Sequence, residues 1–198
     1  MSRAILILAA GAASRMQGRD KLLEPIGGQP LLAVMAERAL EVSDAVITAL
    51  PPDRPERDKA LGDLSVRHVI VTDAAKGMSA SIRAGLPYAI GARGVMILPA
   101  DMPELTSADL RDVWEMFEAL DAEQIVRGAT QDGQPGHPVV FPGQHLADLS
   151  RITGDTGGRD LIARHGASLC PLPEHHALTD LDTPQAWADW RARTGLLE

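Results

Sequence analysis

The chain has 198 residues, of which 45 % are hydrophobic and 23 % charged, and its formal net charge is −8. That size and balance fit one soluble globular domain with a substantial core, and the acidic excess excludes a general nucleic-acid binder. A single cysteine, Cys170, allows no internal disulfide and fits a cytoplasmic protein; 3 % aromatics leave no stacking platforms for single strands, and no apolar run is long enough for a membrane span.

Residues 3–9 form an apolar run that reads as a buried first strand, and Arg15 close behind it argues against a signal peptide. Pro30 opens a helix over 31–40, whose apolar residues recur three and four apart. Residues 45–50 read as a second strand ended by Pro51 and Pro52, 54–62 as a charged helix, and 67–71 as a third strand. A helix is expected from Met78 to Pro87, then a buried strand over 94–98 that delivers Asp101 just past its end. Thr106 and Asp109 have the spacing of a capping box for a helix carrying Trp114 and Phe117. Residues 124–127 and 137–141 read as strands, 161–164 as helix, 167–172 as a last strand, and Pro184 starts a closing helix with Trp187 and Trp190. Alternating strands and helices imply an α/β fold in three layers, a mostly parallel sheet with helices on both faces. Ligands in such sheets bind beyond the carboxyl ends of strands, where Gly11 and Asp101 both fall.

The first strand breaks into Ala9-Ala10-Gly11-Ala12-Ala13-Ser14, where no side chain is large. Small residues let a ligand lie on the backbone, Gly11 allows backbone angles other residues resist, and successive N–H groups make an anion cradle. Arg15 and Lys21 follow within reach of phosphate oxygens. Together they describe a nucleoside triphosphate site; the plain alternative is a β-turn with two exposed cations. The loop matches neither a Walker sequence nor the G-x-G-x-x-G dinucleotide fingerprint. Asp101, in Leu-Pro-Ala-Asp-Met-Pro, is placed either to hold Mg²⁺ or to cap a turn. In Asp180-Leu181-Asp182-Thr183-Pro184, Asp182 or Thr183 is placed to cap the last helix. Ser79 and Ser81, behind Gly77-Met78, either cap their helix or meet a base or phosphate. His175 and His176 have no partner at metal-ligand spacing and read as a solvated loop.

The pattern L-A-A-G-x-x-x-R-M…K-L-L resembles the molybdopterin nucleotidyltransferase family, and the double alanine resembles its molybdenum cofactor cytidylyltransferase branch; the guanylyltransferase branch usually reads L-A-G-G. Lys76–Gly85, Leu98–Pro103, Gly136–Phe141, Gly154–Arg159 and Asp180–Pro184 agree with the family in the same order along nearly the whole chain. The resemblance implies a Rossmann-like nucleotidyltransferase fold whose mixed sheet has one antiparallel strand. It implies one domain over 1–198, with nucleotide and metal held by roughly the first 105 residues and the pterin substrate by the rest. The nucleotide would meet Leu8, Ala9, Ala10, Gly11, Ser14, Arg15, Lys21, Gly77, Met78, Ser79, Ser81 and Ala100. Arg15, Lys21 and Asp101 would be catalytic, and Asp101 and Asp182 would hold Mg²⁺, with Mn²⁺ as the alternative ion. Gly136, His137, Gly154, Asp155, Gly158 and Arg159 would face the pterin substrate, with Arg159 on its phosphate.

The implied reaction joins the terminal phosphate of molybdenum cofactor to the α-phosphate of CTP and expels pyrophosphate. That phosphate is already anionic, so no nucleophile–base pair is needed. A molybdoenzyme of the xanthine dehydrogenase type is the implied recipient, with neither nucleic acid nor membrane as partner. Two other readings stand beside this one: guanylyl or other nucleotidyl transfer on the same fold, and a non-catalytic chaperone that binds the cofactor. Arg15, Lys21 and Asp101 together favour catalysis, since a pure carrier needs no triphosphate cradle.

Overall fold

The computed structural model describes residues 3–154 and 158–196. Its centre is a seven-stranded sheet of β1 (Arg3–Leu8), β4 (Ala45–Leu50), β5 (Arg67–Ile70), β6 (Gly94–Pro99), β7 (Val126–Ala129), β8 (Pro135–Pro142) and β9 (Ser168–Pro171), in the order β5-β4-β1-β6-β8-β7-β9. Only β8 runs against its neighbours, so the sheet is mixed as expected. Side chains alternate between two cores. Ile5, Ile7, Met96 and Leu98 face one layer, with α1 (Leu31–Leu40), α2 (Pro55–Leu61), α4 (Ser107–Ala119) and α7 (Pro184–Thr194). Ala4, Leu6, Val95 and Ile97 face the other, with α3 (Met78–Gly85), α5 (Leu146–Leu149) and α6 (Arg159–His165). Alternate residues of β1 and β6 thus enter opposite layers, and both faces of these strands are buried.

After β1 the chain builds β4 and β5 on one side, then returns to lay β6 on the other. Strand order therefore reverses between β1 and β6, and the crevice at their carboxyl ends is the usual ligand position in such sheets. Register sets Leu8 beside Pro99, and Ala100 N–H donates to the Leu8 carbonyl at 3.2 Å. The small-residue loop and Asp101 thus leave the sheet side by side.

Several boundaries differ from the sequence reading. β1 ends at Leu8 because the Ala9 carbonyl is taken by Arg57 rather than by a strand. The strand expected over 124–127 is shifted to Val126–Ala129 and bulged, with Gly128 lying against the His137 carbonyl, where a Cβ would come to 2.5 Å. A hairpin of β2 (Pro25–Ile26) and β3 (Gln29–Pro30) precedes α1; its Gly27-Gly28 turn has φ of 59° and 83°, a conformation glycine adopts without steric cost. Helix α3 stops at Gly85, and Pro87 falls in a 3-10 turn over Leu86–Ala89. The capping box forms as spaced: Thr106 N–H donates to Asp109 at 2.7 Å, and Asp109 N–H to the Thr106 hydroxyl at 3.2 Å. Among the described residues, no helix is long and apolar enough to cross a membrane.

Candidate active site

A cleft of about 340 Å³ opens at the carboxyl ends of β1 and β6, lined in part by Leu8, Ala10, Gly11, Gly77, Ser81 and Asp101. Its floor is the small-residue loop, which α2 holds from behind. Arg57 is fully buried and donates to the Ala9 carbonyl at 2.5 Å and to the Asp20 carboxylate at 2.8 and 3.0 Å. Arg54 donates to the Ala12 carbonyl at 2.5 Å and to Asp20 at 3.2 Å. Burial opposes the charge on Asp20, but Arg57, the Leu22 N–H and Arg54 outweigh it and hold the carboxyl below its usual range. The sequence reading missed this brace, because nothing in a charged helix marks which arginine turns inward.

The strained backbone of the loop is not at Gly11. Ala13 and Gln17 take the left-handed conformation, with φ of 51° and 53°, whereas Gly11 does not. A Cβ at Gly11 would meet nothing within 4 Å. Gly11 therefore leaves space on the cleft side rather than relieving a turn, which corrects the expectation about its backbone.

At the cleft mouth, Lys21 lies between two carboxylates. Its Nζ donates to Asp101 and, at 2.6 Å, to Asp182 Oδ1; Arg15 pairs with Asp182 Oδ2 at 2.5 Å. Burial disfavours the Lys21 ammonium, yet Asp101 and Asp182 outweigh that and raise its pKa. Asp182 is free for this because Thr183 caps α7, its hydroxyl accepting from Ala186 N–H at 3.1 Å. The neighbouring Asp180 has its pKa raised by burial, then by Asp182 and Asp101. A cation already held between Asp101 and Asp182 shows that this all-oxygen pair accepts positive charge, and its hard donors fit Mg²⁺ or Mn²⁺.

The structure separates the two serines of α3. Ser81 lines the cleft, whereas Ser79 is fully buried and its hydroxyl accepts from Arg83 Nη1 at 3.0 Å. Ser79 is thus a packing residue rather than a ligand contact. Gly77, with φ of 92°, leads into α3 without a side-chain cap of its own, and the helix N-terminus faces the cleft at Met78. Ala9 and Ala100 are buried in the core behind the cleft wall, and Ser14 is exposed in a 3-10 turn.

A second, smaller pocket of about 70 Å³ adjoins the cleft at Met78, which lines both. His137, Gly158, Arg159 and Arg127 line it, and Arg127 is a cation the sequence reading missed. Arg127 Nε donates to the Gly136 carbonyl at 2.6 Å. Burial, then the positive charge of Arg127, lowers the His137 pKa to about 4, so the ring is neutral near pH 7. Its Nδ1 is buried without a partner among the described residues. Gly136 is explained by packing, since a Cβ there would sit 2.0 Å from the Ala177 carbonyl oxygen. Gly154 is exposed and lines neither pocket, and Asp155 lies outside the described residues. His176 is not solvated as expected: its ring is bonded to Asp109 at 2.9 Å. Cys170 is buried, and burial raises its thiol pKa, leaving it unreactive.

In sequence and fold the chain is similar to known proteins. The chain is 29 % identical over 183 residues to a molybdenum cofactor guanylyltransferase of Cereibacter sphaeroides, covering 91 % of each chain. It superposes on the crystal structure of Rv0371c from Mycobacterium tuberculosis H37Rv with a TM-score of 0.81 and 27 % identity, covering 96 % of each chain. A complex of that mycobacterial protein with manganese gives a TM-score of 0.78 at 24 % identity, covering 96 % of this chain and 97 % of that one. The profile of the MobA-like NTP transferase domain matches residues 5–169, and the chain belongs to that family of nucleotidyltransferases.

Proposed function

We propose that the protein transfers a nucleotidyl group from a nucleoside triphosphate to the terminal phosphate of molybdenum cofactor. The observation that carries this reading is Lys21 held between Asp101 and Asp182 at the mouth of a cleft floored by small residues. An oxygen of the acceptor phosphate bonds to the α-phosphorus, the bond to the β-phosphate breaks, and pyrophosphate leaves. The acceptor enters as an anion, so no proton needs to be removed. The work left to the protein is positioning and charge stabilisation.

Each part of the site has a role in that reaction. The backbone from Ala10 to Ala12 and the N-terminus of α3 would cradle the donor. Asp101 and Asp182 would hold Mg²⁺ or Mn²⁺, which offsets negative charge on the phosphates. Arg15 and Lys21 are then released from the carboxylates to meet phosphate oxygens. Arg159 and Arg127 flank the pocket where the acceptor's phosphate would lie, and neutral His137 donates or accepts there without adding charge. The two halves of the chain share the work unevenly, since Asp182 from the second half completes the metal pair of the first.

Two readings of the base have separate support. The name of the Cereibacter relative favours GTP. The Ala10 methyl, on the cleft wall where the guanylyl branch usually has glycine, favours the smaller base of CTP. Steady-state kcat/KM for CTP and GTP, with molybdenum cofactor as acceptor, decides between them. A cytidylyl site should prefer CTP by more than about tenfold and lose part of that preference in Ala10→Gly, because a misfit base leaves polar groups unpaired. A guanylyl site should prefer GTP and be little changed by Ala10→Gly. Failure of every triphosphate, alongside tight binding of the cofactor, would overturn nucleotidyl transfer and favour the chaperone.

A further inference from the structure

A cleft of about 670 Å³ lies at the opposite end of the sheet. There β6 begins at Gly94 opposite the end of β8 at Pro142, and β9 begins at Ser168. From Pro142 the chain passes through a 3-10 turn, Gly143–His145, into α5. Helix α6 starts beside the acceptor pocket at Arg159 and ends at this far end with His165. His145 and Asp148 are three residues apart on one helical turn and so share a face. His165 reaches the same point from the other helix.

The three side chains converge. The imidazole centroids of His145 and His165 are 4.4 Å apart, and one donor atom from each of His145, Asp148 and His165 lies within 4.8 Å of the others. His145 is buried, Asp148 half-buried and His165 exposed, and all three line the cleft together with Glu123. Among the described residues neither ring makes a hydrogen bond. The ion-pair partner of Asp148 there is Arg151, at 4.0 Å and itself 80 % exposed. Two histidines packed for shape alone would need neither a shared carboxylate nor an open cleft in front of them.

We propose that His145, Asp148 and His165 form a Zn²⁺ site with an open fourth position. Two imidazole nitrogens and one carboxylate oxygen are a borderline donor set, suited to Zn²⁺ rather than to Mg²⁺ or Mn²⁺. Zinc–ligand bonds of about 2.0–2.2 Å put tetrahedral donors about 3.3 Å apart. The cluster must therefore close by about 1.5 Å at its widest, which the exposed His165 side chain allows. Water or the Glu123 carboxylate would complete the tetrahedron. The ion ties the α5 turn to the last residue of α6, whose first residue is Arg159. A clamp at one end of that helix steadies the cation it presents to the acceptor pocket at the other.

The test is a Zn²⁺ titration of the full chain against a chromogenic chelator, in the Asp101→Asn/Asp182→Asn background so that the all-oxygen pair cannot contribute. One Zn²⁺ per chain is expected. Even an outer partner of a metal ligand is worth about 10–100-fold in affinity, so His165→Ala should weaken binding by more than about 100-fold. Asp148→Asn should weaken it less. Both residues are solvent-accessible, so each variant should melt like the parent without metal and lose the Zn²⁺-dependent rise in Tm. Substituted Co²⁺ should give a tetrahedral visible spectrum that His165→Ala abolishes. Equal Zn²⁺ affinity in parent and His165→Ala would overturn the proposal. So would a Zn²⁺ site present in the wild type and absent from the Asp101→Asn/Asp182→Asn background.

Discussion

At the scale of single residues, Lys21 fills the space between Asp101 and Asp182, where the proposed divalent ion would lie. Its raised pKa means that the ion pair contributes fully at neutral pH, below the ordinary lysine value of 10.5, and is lost only as pH rises through the still higher folded value. Lys21→Ala should therefore have two opposite effects. Turnover should fall by about 100-fold or more, as when one charge-stabilising group is removed. Mn²⁺ should bind more tightly in the absence of nucleotide, because the competing ammonium is gone. Metal titration and steady-state kinetics read the two separately; unchanged kinetics would make Lys21 a structural bridge. Gly11→Ala tests the loop. Its φ is ordinary and its Cβ would meet no protein atom, so Tm should hold within about 2 °C while KM for the triphosphate rises at least about tenfold. A stable variant with unchanged KM would place the donor elsewhere. The identities of Lys21, Asp101 and Gly11 were legible in sequence, but the left-handed residue of the loop was not. Alanine at 13 gives no sign of positive φ, and nothing in sequence marks Arg54 and Arg57, some forty residues away, as the groups that bond to the carbonyls of the same loop.

At the scale of elements, α7 shows how the site depends on docking. Asp182 reaches Lys21 only if this helix is seated, and Glu104, in the loop after β6, seats it. Trp190 Nε1 donates to Glu104 at 3.1 Å, Thr179 at 2.6 Å, and Arg193 donates as well. Burial opposes the Glu104 charge, but Thr179, Arg193 and Trp190 outweigh it and lower the pKa below 4.5. Its contribution is present above that value and lost as pH falls through the lower folded pKa. Glu104→Ala should cost about 2–3 kcal/mol at pH 7, or roughly 4–12 °C in Tm, and the deficit should shrink in strongly acid solution, where the charge is lost and only the neutral hydrogen bonds remain. An undiminished deficit there would show that the charge contributes nothing. Helix α1 was legible from its apolar period, β4 and β6 from continuous apolar runs, and α4 and α7 from their capping residues and Pro184. The β2–β3 hairpin and α5 were not, being too short to carry a period, and β7 was displaced by a bulge that depends on His137 of the neighbouring strand.

At the scale of the molecule, one crossover decides where chemistry sits. Returning the chain from β5 to β6 beside β1 brings residues 8–21 and 99–101 together, and the α7 segment then closes the site with Asp182. The alternation of strands and helices made the layered fold and its ligand edge legible, while the antiparallel β8 came only through family resemblance. The far-end histidine cluster was invisible in sequence, since His145 and His165 are twenty residues apart and meet only through the packing of α5 and α6. The central claim is that this chain catalyses nucleotidyl rather than phosphoryl transfer. Incubation of the protein with molybdenum cofactor, Mg²⁺ and triphosphates labelled at either the α- or the γ-phosphate tests it directly. The account predicts α-label in the cofactor product, γ-label in pyrophosphate, and neither with Asp101→Asn; γ-label in the cofactor, or no transfer of either label, would contradict it.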